Sequence, residues 1–318
     1  MNYASDQETG QLPRIPLIVG PTASGKTDLA VRLAARLQSG VISCDSVQIY
    51  KGLDILSAKP TPDTLAAVKH HCVGILSPTE KWNAAVYSDY ARKIIDGYLK
   101  ENLIPVVSGG TPLWIKALVH GLIDSPEISP EVDRKVDEDY ETHGLLFCYD
   151  LLSAMDPETA ESLHPNDTQR ILRALKVVTG SKIGIREYQR RHRFDFNYFE
   201  SVYVCIDTER QELYRRINER TDTMFQEGAI DEVQALLASG VPADCPAFTS
   251  IGYRDVVRYL KKEMKLEDVI VNTARSTRHY AKRQITWYKK YKNIIRLDPQ
   301  ESTDGHVDRI VSALKLKV

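Results

Sequence analysis

Residues 20–27 read GPTASGKT and fit the pattern G-x-x-x-x-G-K-[ST]. No other stretch of the chain restricts its fold so tightly. In such a loop, successive backbone N–H groups converge on phosphate oxygens at the positive end of the following helix. The lysine adds a mobile charge, and the last hydroxyl can ligate a Mg²⁺ carried by the same phosphates. The device needs a strand before it and a helix after it, and both are written here. Residues 15–19, IPLIV, are an apolar run, and Leu29, Ala30, Leu33, Ala34 and Leu37 recur with helical spacing beyond the loop. Gly20, Pro21, Thr22, Ala23, Ser24, Gly25, Lys26 and Thr27 are therefore the expected phosphate cradle, with Thr27 the expected metal ligand. A phosphate grip is not a reaction, so the chemistry stays open at this point.

Four further strands are expected, at GVISCDS, LIPVVSGGT, SVYVCID and NIIRLD, with helical segments such as residues 84–99 and 209–228 between them. Strand alternating with helix predicts an α/β fold of P-loop type, a doubly wound, mostly parallel sheet covered on both faces. Residues 123–196 break the alternation. They are highly charged and helical in pattern, and HPNDTQRILRALKVVTG reads as a helix punctuated at its start by Pro165, Asn166 and Asp167 and followed by Gly180. The expected organisation is a polar tail at 1–14, a core made of 15–122 and 197–318, and a helical insertion domain at 123–196.

Composition excludes little but excludes it clearly. A net charge of −1 over 318 residues gives no global case for nucleic-acid binding, so that case must be local. The first ten residues are polar, unlike a secretory signal, and no apolar run nears the ~20 residues that span a bilayer. Cys44, Cys72, Cys148, Cys205 and Cys245 are scattered and form no C-x-x-C pair. They read as the reduced thiols of a cytoplasmic protein without a zinc site.

Three features bear on chemistry. Asp45 follows the second expected strand, where residues of open α/β sheets line the ligand crevice. It reads equally as a base or as a helix cap. Gly109, Gly110 and Thr111 end the third strand and aim at the same crevice, or simply make a tight turn. Residues 275–292 carry Arg275, Arg278, Lys282, Arg283, Lys289, Lys290 and Lys292 with no acidic residue, and Tyr280, Trp287, Tyr288 and Tyr291 are interleaved. As a helix this run would extend ~27 Å and suit an RNA backbone with bases stacked on the aromatics. The alternative is a solvated helix whose aromatics pack on the sheet. His70 and His71 read as locally hydrogen-bonded, and the acidic run at 131–141 as an exposed helix face.

In sequence and order, GPTASGKT, SCDSVQIYKGLDI, SAKPT, SGGTPLWIKAL, HPNDTQRILRAL, SIGYRD and TRHYAKRQITW resemble the bacterial tRNA dimethylallyltransferases, also called tRNA isopentenyltransferases. The resemblance runs from about Ile15 to Asp298. The chain departs from the usual pattern at Leu56-Ser57-Ala58-Lys59-Pro60, at GGTPLW and at Gly74, and it has Asp133 near a position that is basic in some members. The resemblance implies transfer of a dimethylallyl group from dimethylallyl diphosphate to the exocyclic amine of an adenosine in the tRNA anticodon loop, with release of diphosphate. It implies catalytic roles for Asp45 as general base and for Lys26, Thr111 and Arg220, with residues 20–27 on the diphosphate and Mg²⁺ as cofactor. It also implies tRNA contacts at Asp45, Ser46, Val47, Gln48 and Thr111, at Gln169, Arg170, Ile171, Leu172 and Arg173, and at Thr249, Ser250, Ile251, Gly252, Tyr253 and Arg254. The insertion would clamp the anticodon stem–loop. A monomer, soluble in the cytoplasm and with no membrane partner, is the expected state. Prenylation of free AMP, a P-loop kinase for a nucleoside or small metabolite, and a non-catalytic RNA-binding protein are the competing readings.

Overall fold

A computed structural model describes residues 12–122, 126–192, 197–291 and 293–315. The boundaries expected at 123 and 196, most of the N-terminal tail and Lys292 lie outside them. Two compact units emerge, one from residues 1–119 and 197–318 and a second from 120–196.

The first unit is built on six strands: β1 Arg14–Val19, β2 Val41–Ser43, β3 His70–His71, β4 Val106–Gly109, β5 Glu200–Ile206 and β6 Ile295–Leu297. Its helices before the second unit are α1 Lys26–Arg36, α2 Pro62–Ala67, α3 Ala84–Lys100 and α4 Pro112–His120. The strands form one sheet in the order β3-β2-β4-β1-β5-β6, and every pair is parallel. β1 lies between β4 and β5, in register at Leu17↔Val107 and Leu17↔Tyr203. Its last five residues are buried, as a strand covered on both faces requires. Leu29 and Leu33 of α1 pack with Ile18, Val204, Leu297 and Ile310 in one core cluster. On α3, Tyr87 stacks on Trp114 at 4.2 Å between centroids and donates its hydroxyl to Ser43 O at 3.0 Å.

The strand at His70–His71 was not expected from the sequence. Two histidines carry no strand pattern, and they pair only as an edge of β2. His70 makes the local hydrogen bond expected of it, Nδ1 with Val68 O at 2.7 Å, whereas His71 Nε2 bonds Tyr98 Oη of α3, distant in sequence, at 2.9 Å.

The second unit holds α5 Pro130–Met155, α6 Pro157–Glu161, α7 Thr168–Ser181 and α8 Ile185–His192. Its core gathers Val136, Cys148, Leu152, Ile171, Leu175 and Val178. The acidic run lies on α5, where Val136 is buried and Asp133 and Asp137 each approach Lys176 Nζ at 2.7 Å. Asp167 caps α7 by accepting the Arg170 N–H at 3.2 Å. Gly180 does not end this helix. It lies in the last turn, and Lys182 takes the left-handed capping conformation at φ 60°.

After β5 the first unit continues with α9 Arg210–Gln226, α10 Ala229–Ala238, a 3₁₀ turn at Pro246–Thr249, α11 Tyr253–Leu260, α12 Leu266–Tyr288 and, beyond β6, α13 Thr303–Leu314. Leu213 and Ile217 of α9 pack against Ala281 and Ile285 of α12, with Ala23 of the phosphate loop in the same cluster. No helix among the described residues is long and apolar enough to cross a membrane.

Candidate active site at the carboxyl ends of the strands

The loop after β1 curls tightly enough to need left-handed backbone at Ala23 (φ 63°) and at Gly25 (φ 89°), the residue just before α1. Ser24 Oγ is buried without a protein partner, and Thr27 is exposed in the first turn of α1. Lys26 Nζ donates to Pro21 O at 2.5 Å. Burial lowers the Lys26 ammonium to about 8, against the opposing pull of the Asp45 charge.

Asp45 stands just past β2 and makes the bonds of a cap. Its Oδ1 accepts the N–H groups of Val47 at 2.9 Å and Gln48 at 3.3 Å. Its charge also acts on Lys26 and on the guanidinium of Arg220, which burial lowers and Asp45 raises. Arg220 projects from α9 and reaches Ala58 O at 3.5 Å. Ala58 O also accepts from Gln48 Nε2 at 3.0 Å. Thr111, past β4, accepts the Ser46 N–H on Oγ1 at 3.1 Å and donates its own N–H to Cys44 O at 3.3 Å. The two strand ends abut so closely that a Cβ on Gly109 would lie 2.1 Å from Cys44 O. Asp45, Lys26, Thr111 and Arg220 thus belong to one crevice.

Two residues of α12 reach this site: Tyr280, grouped from the sequence with the aromatics suited to stack RNA bases, and Gln284, which had no role assigned. Tyr280 donates to Gly110 O at 3.1 Å, and its hydroxyl is pushed up by burial and by Asp45. Gln284, 2% exposed, bonds both the phosphate loop and Gly110. The available signal was periodicity. Ala281, Gln284 and Tyr288 share the buried face of α12, and a glutamine where the pattern calls for an apolar residue demands buried partners.

Of the expected RNA-facing residues, Gln169, Arg170 and Arg173 are exposed on α7, whereas Ile171 and Leu172 belong to the core of the second unit. In the first unit, Thr249 and Arg254 are exposed, Ser250 and Ile251 are half-buried, and Gly252 is buried. Tyr253 is fully buried. Its hydroxyl donates to Glu232 Oε1 at 2.9 Å and accepts the Ser57 N–H at 3.1 Å. Its side chain therefore braces the turn that carries Ala58.

The basic run divides by face. Arg275, Lys282, Arg283, Lys289 and Lys290 are exposed and Arg278 is half-buried, while Tyr288 is 3% exposed and packs inward. Of the interleaved aromatics Tyr288 is buried, as the competing reading of this run holds, while Tyr280, Trp287 and Tyr291 are half-buried. Tyr203 and Tyr291 rings meet at 4.5 Å, while Tyr280 and Trp287 each keep a cationic neighbour, Arg283 Cζ 5.6 Å and Lys290 Nζ 5.9 Å from their rings. The helix stops at Tyr288, so Lys289 and Lys290 lie just beyond it.

Comparison with known proteins shows the family. A family model described as IPP transferase matches residues 48–291, and one described as isopentenyl transferase matches residues 13–73. The chain is 41% identical to tRNA dimethylallyltransferase 1 of Pelobacter propionicus over 91% of its own length and 94% of that protein. It is 32% identical to the crystal structure of a full-length tRNA isopentenylpyrophosphate transferase from Bacillus halodurans, with a TM-score of 0.70 over 96% of this chain and 97% of that one. A eukaryotic dimethylallyltransferase acting on tRNA shares the fold at a TM-score of 0.81 and 24% identity, over 96% of this chain and 81% of that one.

Proposed function

The chain belongs to the IPP transferase family, and we propose that it moves a dimethylallyl group from dimethylallyl diphosphate to the exocyclic amine of an adenosine beside the anticodon of a tRNA. The observation that carries this reading is the carboxylate of Asp45 set opposite a phosphate cradle, close enough to act on Lys26 and Arg220. A carboxylate so placed can take a proton from an incoming nucleophile, the role that a transfer to an amine calls for.

The adenine amino group is a weak nucleophile because its lone pair is delocalised into the ring. In the proposed step that nitrogen forms a bond to the first carbon of the dimethylallyl group. The carbon–oxygen bond to the diphosphate breaks, and its electron pair leaves with the diphosphate. Asp45 takes the proton released from the amine. Lys26, Arg220 and the loop amides of residues 20–27 meet the charge that grows on the leaving group. Thr111 holds the Ser46 N–H and so fixes the turn that carries Asp45.

The donor set also fits Mg²⁺. Thr27 offers a hydroxyl in the first turn of α1, and the described residues contain no cluster of three His, Cys, Asp or Glu that could hold a metal. The ion would be held by Thr27, water and chiefly the diphosphate oxygens, as Mg²⁺ commonly is. When bound, Mg²⁺ neutralises part of the diphosphate charge.

The tRNA would be gripped by exposed side chains of each unit, Gln169, Arg170 and Arg173 of the helical insertion and the basic side chains at 275–290. The target base must leave its stack to reach Asp45. We place the enzyme in the cytoplasm, in keeping with five cysteines that are all free and buried, and propose that it acts as a monomer.

Prenylation of free AMP is the nearest second reading, and the exposed basic side chains beside the crevice favour a polymeric substrate over it. Incubating the protein with Mg²⁺, dimethylallyl diphosphate and either unmodified tRNA or AMP, followed by nucleoside mass spectrometry, separates the two. Prenylated adenosine is expected in the tRNA. Its appearance in AMP alone would replace the reading.

A further inference from the structure

We propose that Gln284 is a positioning residue that ties the phosphate cradle to the end of β4 and so fixes the leaving group relative to the base. The inference rests on the transfer reaction proposed above. A primary amide buried to 2% exposure is costly unless both of its ends are hydrogen-bonded. Both are. Gln284 Oε1 accepts the Thr22 N–H at 3.0 Å, and Nε2 donates to Gly110 O at 2.6 Å. The amide fits only in this orientation, because Thr22 offers a donor and Gly110 an acceptor.

The two partners lie on the turns that follow neighbouring parallel strands, β1 and β4, paired at Val19↔Gly109. The first turn carries Lys26. The second carries Thr111, which holds the Ser46 N–H beside Asp45. One side chain therefore spans from the diphosphate cradle to the assembly that holds the base. Gly110 is shaped to this contact, since a Cβ there would fall 2.2 Å from Gln284 Nε2. Tyr280, one turn earlier on α12, donates to the same carbonyl at 3.1 Å and steadies it. The opposite face of α12 carries exposed Arg275, Lys282 and Arg283.

The test uses Gln284→Met, which keeps the length and loses both hydrogen bonds, and Gln284→Glu, which is nearly isosteric. Misplacing a reacting group by about an ångström costs about a hundredfold. Gln284→Met should accordingly lower kcat by about 10- to 100-fold, with KM for tRNA kept within about threefold. Gln284→Glu distinguishes positioning from mere packing through pH. As a carboxylate, the new side chain repels Gly110 O. Once protonated, it donates to that carbonyl and still accepts from Thr22. The ratio of Gln284→Glu to wild-type kcat should rise as pH falls from about 8 to about 6, helped by the upward shift that burial gives a carboxyl group.

Amide hydrogen exchange at Thr22 is the companion readout, and it should quicken in Gln284→Met. Wild-type kcat and wild-type Thr22 exchange in Gln284→Met, or a flat pH ratio in Gln284→Glu, would overturn the inference. If Gln284→Met fails to fold, the pH ratio and Thr22 exchange of Gln284→Glu decide. A wild-type protein that transfers no prenyl group would sink the proposed reaction instead. Thr22 exchange and inorganic diphosphate affinity, which should both change in Gln284→Met, would still test the role of Gln284.

Discussion

Asp45 Oδ1 accepts the Val47 N–H at 2.9 Å, so the carboxylate that faces Lys26 and Arg220 also shapes the turn that follows it. The proposed chemical role and the observed structural one therefore sit on one side chain, and substitutions can part them.

Asp45→Asn keeps an oxygen able to accept the Val47 and Gln48 N–H groups but removes the proton acceptor. A general base is worth about 10²- to 10⁴-fold, and single-turnover prenyl transfer by Asp45→Asn should fall by that order. Its melting temperature and tRNA affinity should stay close to wild type. Asp45→Ala loses the turn bonds as well and should be less stable by about 1 kcal/mol. If Asp45→Asn transferred at the wild-type rate, Asp45 would be a cap and nothing more.

Lys26 predicts a pH dependence of diphosphate binding. Its ammonium is lowered to about 8 by burial, so below that pH the free protein already carries the charge. As pH rises above it, the lysine loses its proton and must regain one to bind an anion. Affinity for a non-reactive dimethylallyl diphosphate analogue should then weaken by up to about tenfold per pH unit above about pH 8. Titration calorimetry across this range should show the loss in wild type but not in Lys26→Met, which isolates the lysine from the ligand's own titration. A dependence shared by both proteins would assign it elsewhere.

Lys289 and Lys290 are exposed just past the end of α12. If they meet RNA phosphates, tRNA binding should weaken steeply with salt, and replacing both by alanine should reduce the slope of log K against log salt by roughly 1 to 2. An unchanged slope would remove this end of the helix from the interface.

The sheet was legible because its strands are apolar runs that end in chemistry-bearing turns. IPLIV leads into GPTASGKT and PVVSGG into Thr111, and both lie where the pattern placed them. β3 was hidden because two histidines at an edge leave no periodicity. The inward turn of Tyr280 and Tyr288 was hidden for a different reason. A basic run reads as a surface, and only the three-dimensional phase of α12 shows that its aromatics and Gln284 occupy the other face. Arg220 illustrates a third limit. It lies on α9, far in sequence from Ala58 and Asp45, and only the packing of α9 brings it to them. The sequence resemblance named Arg220, and the fold shows what it reaches.

The central claim is that the GPTASGKT loop holds a leaving diphosphate and drives no nucleotide hydrolysis. It is tested most directly by following diphosphate and prenylated adenosine in one reaction of the purified protein with Mg²⁺, dimethylallyl diphosphate and unmodified tRNA. The account predicts one diphosphate released for each adenosine prenylated, no release without tRNA, and no stimulation by ATP. Phosphoryl transfer from ATP with no prenylated adenosine in the tRNA would contradict it.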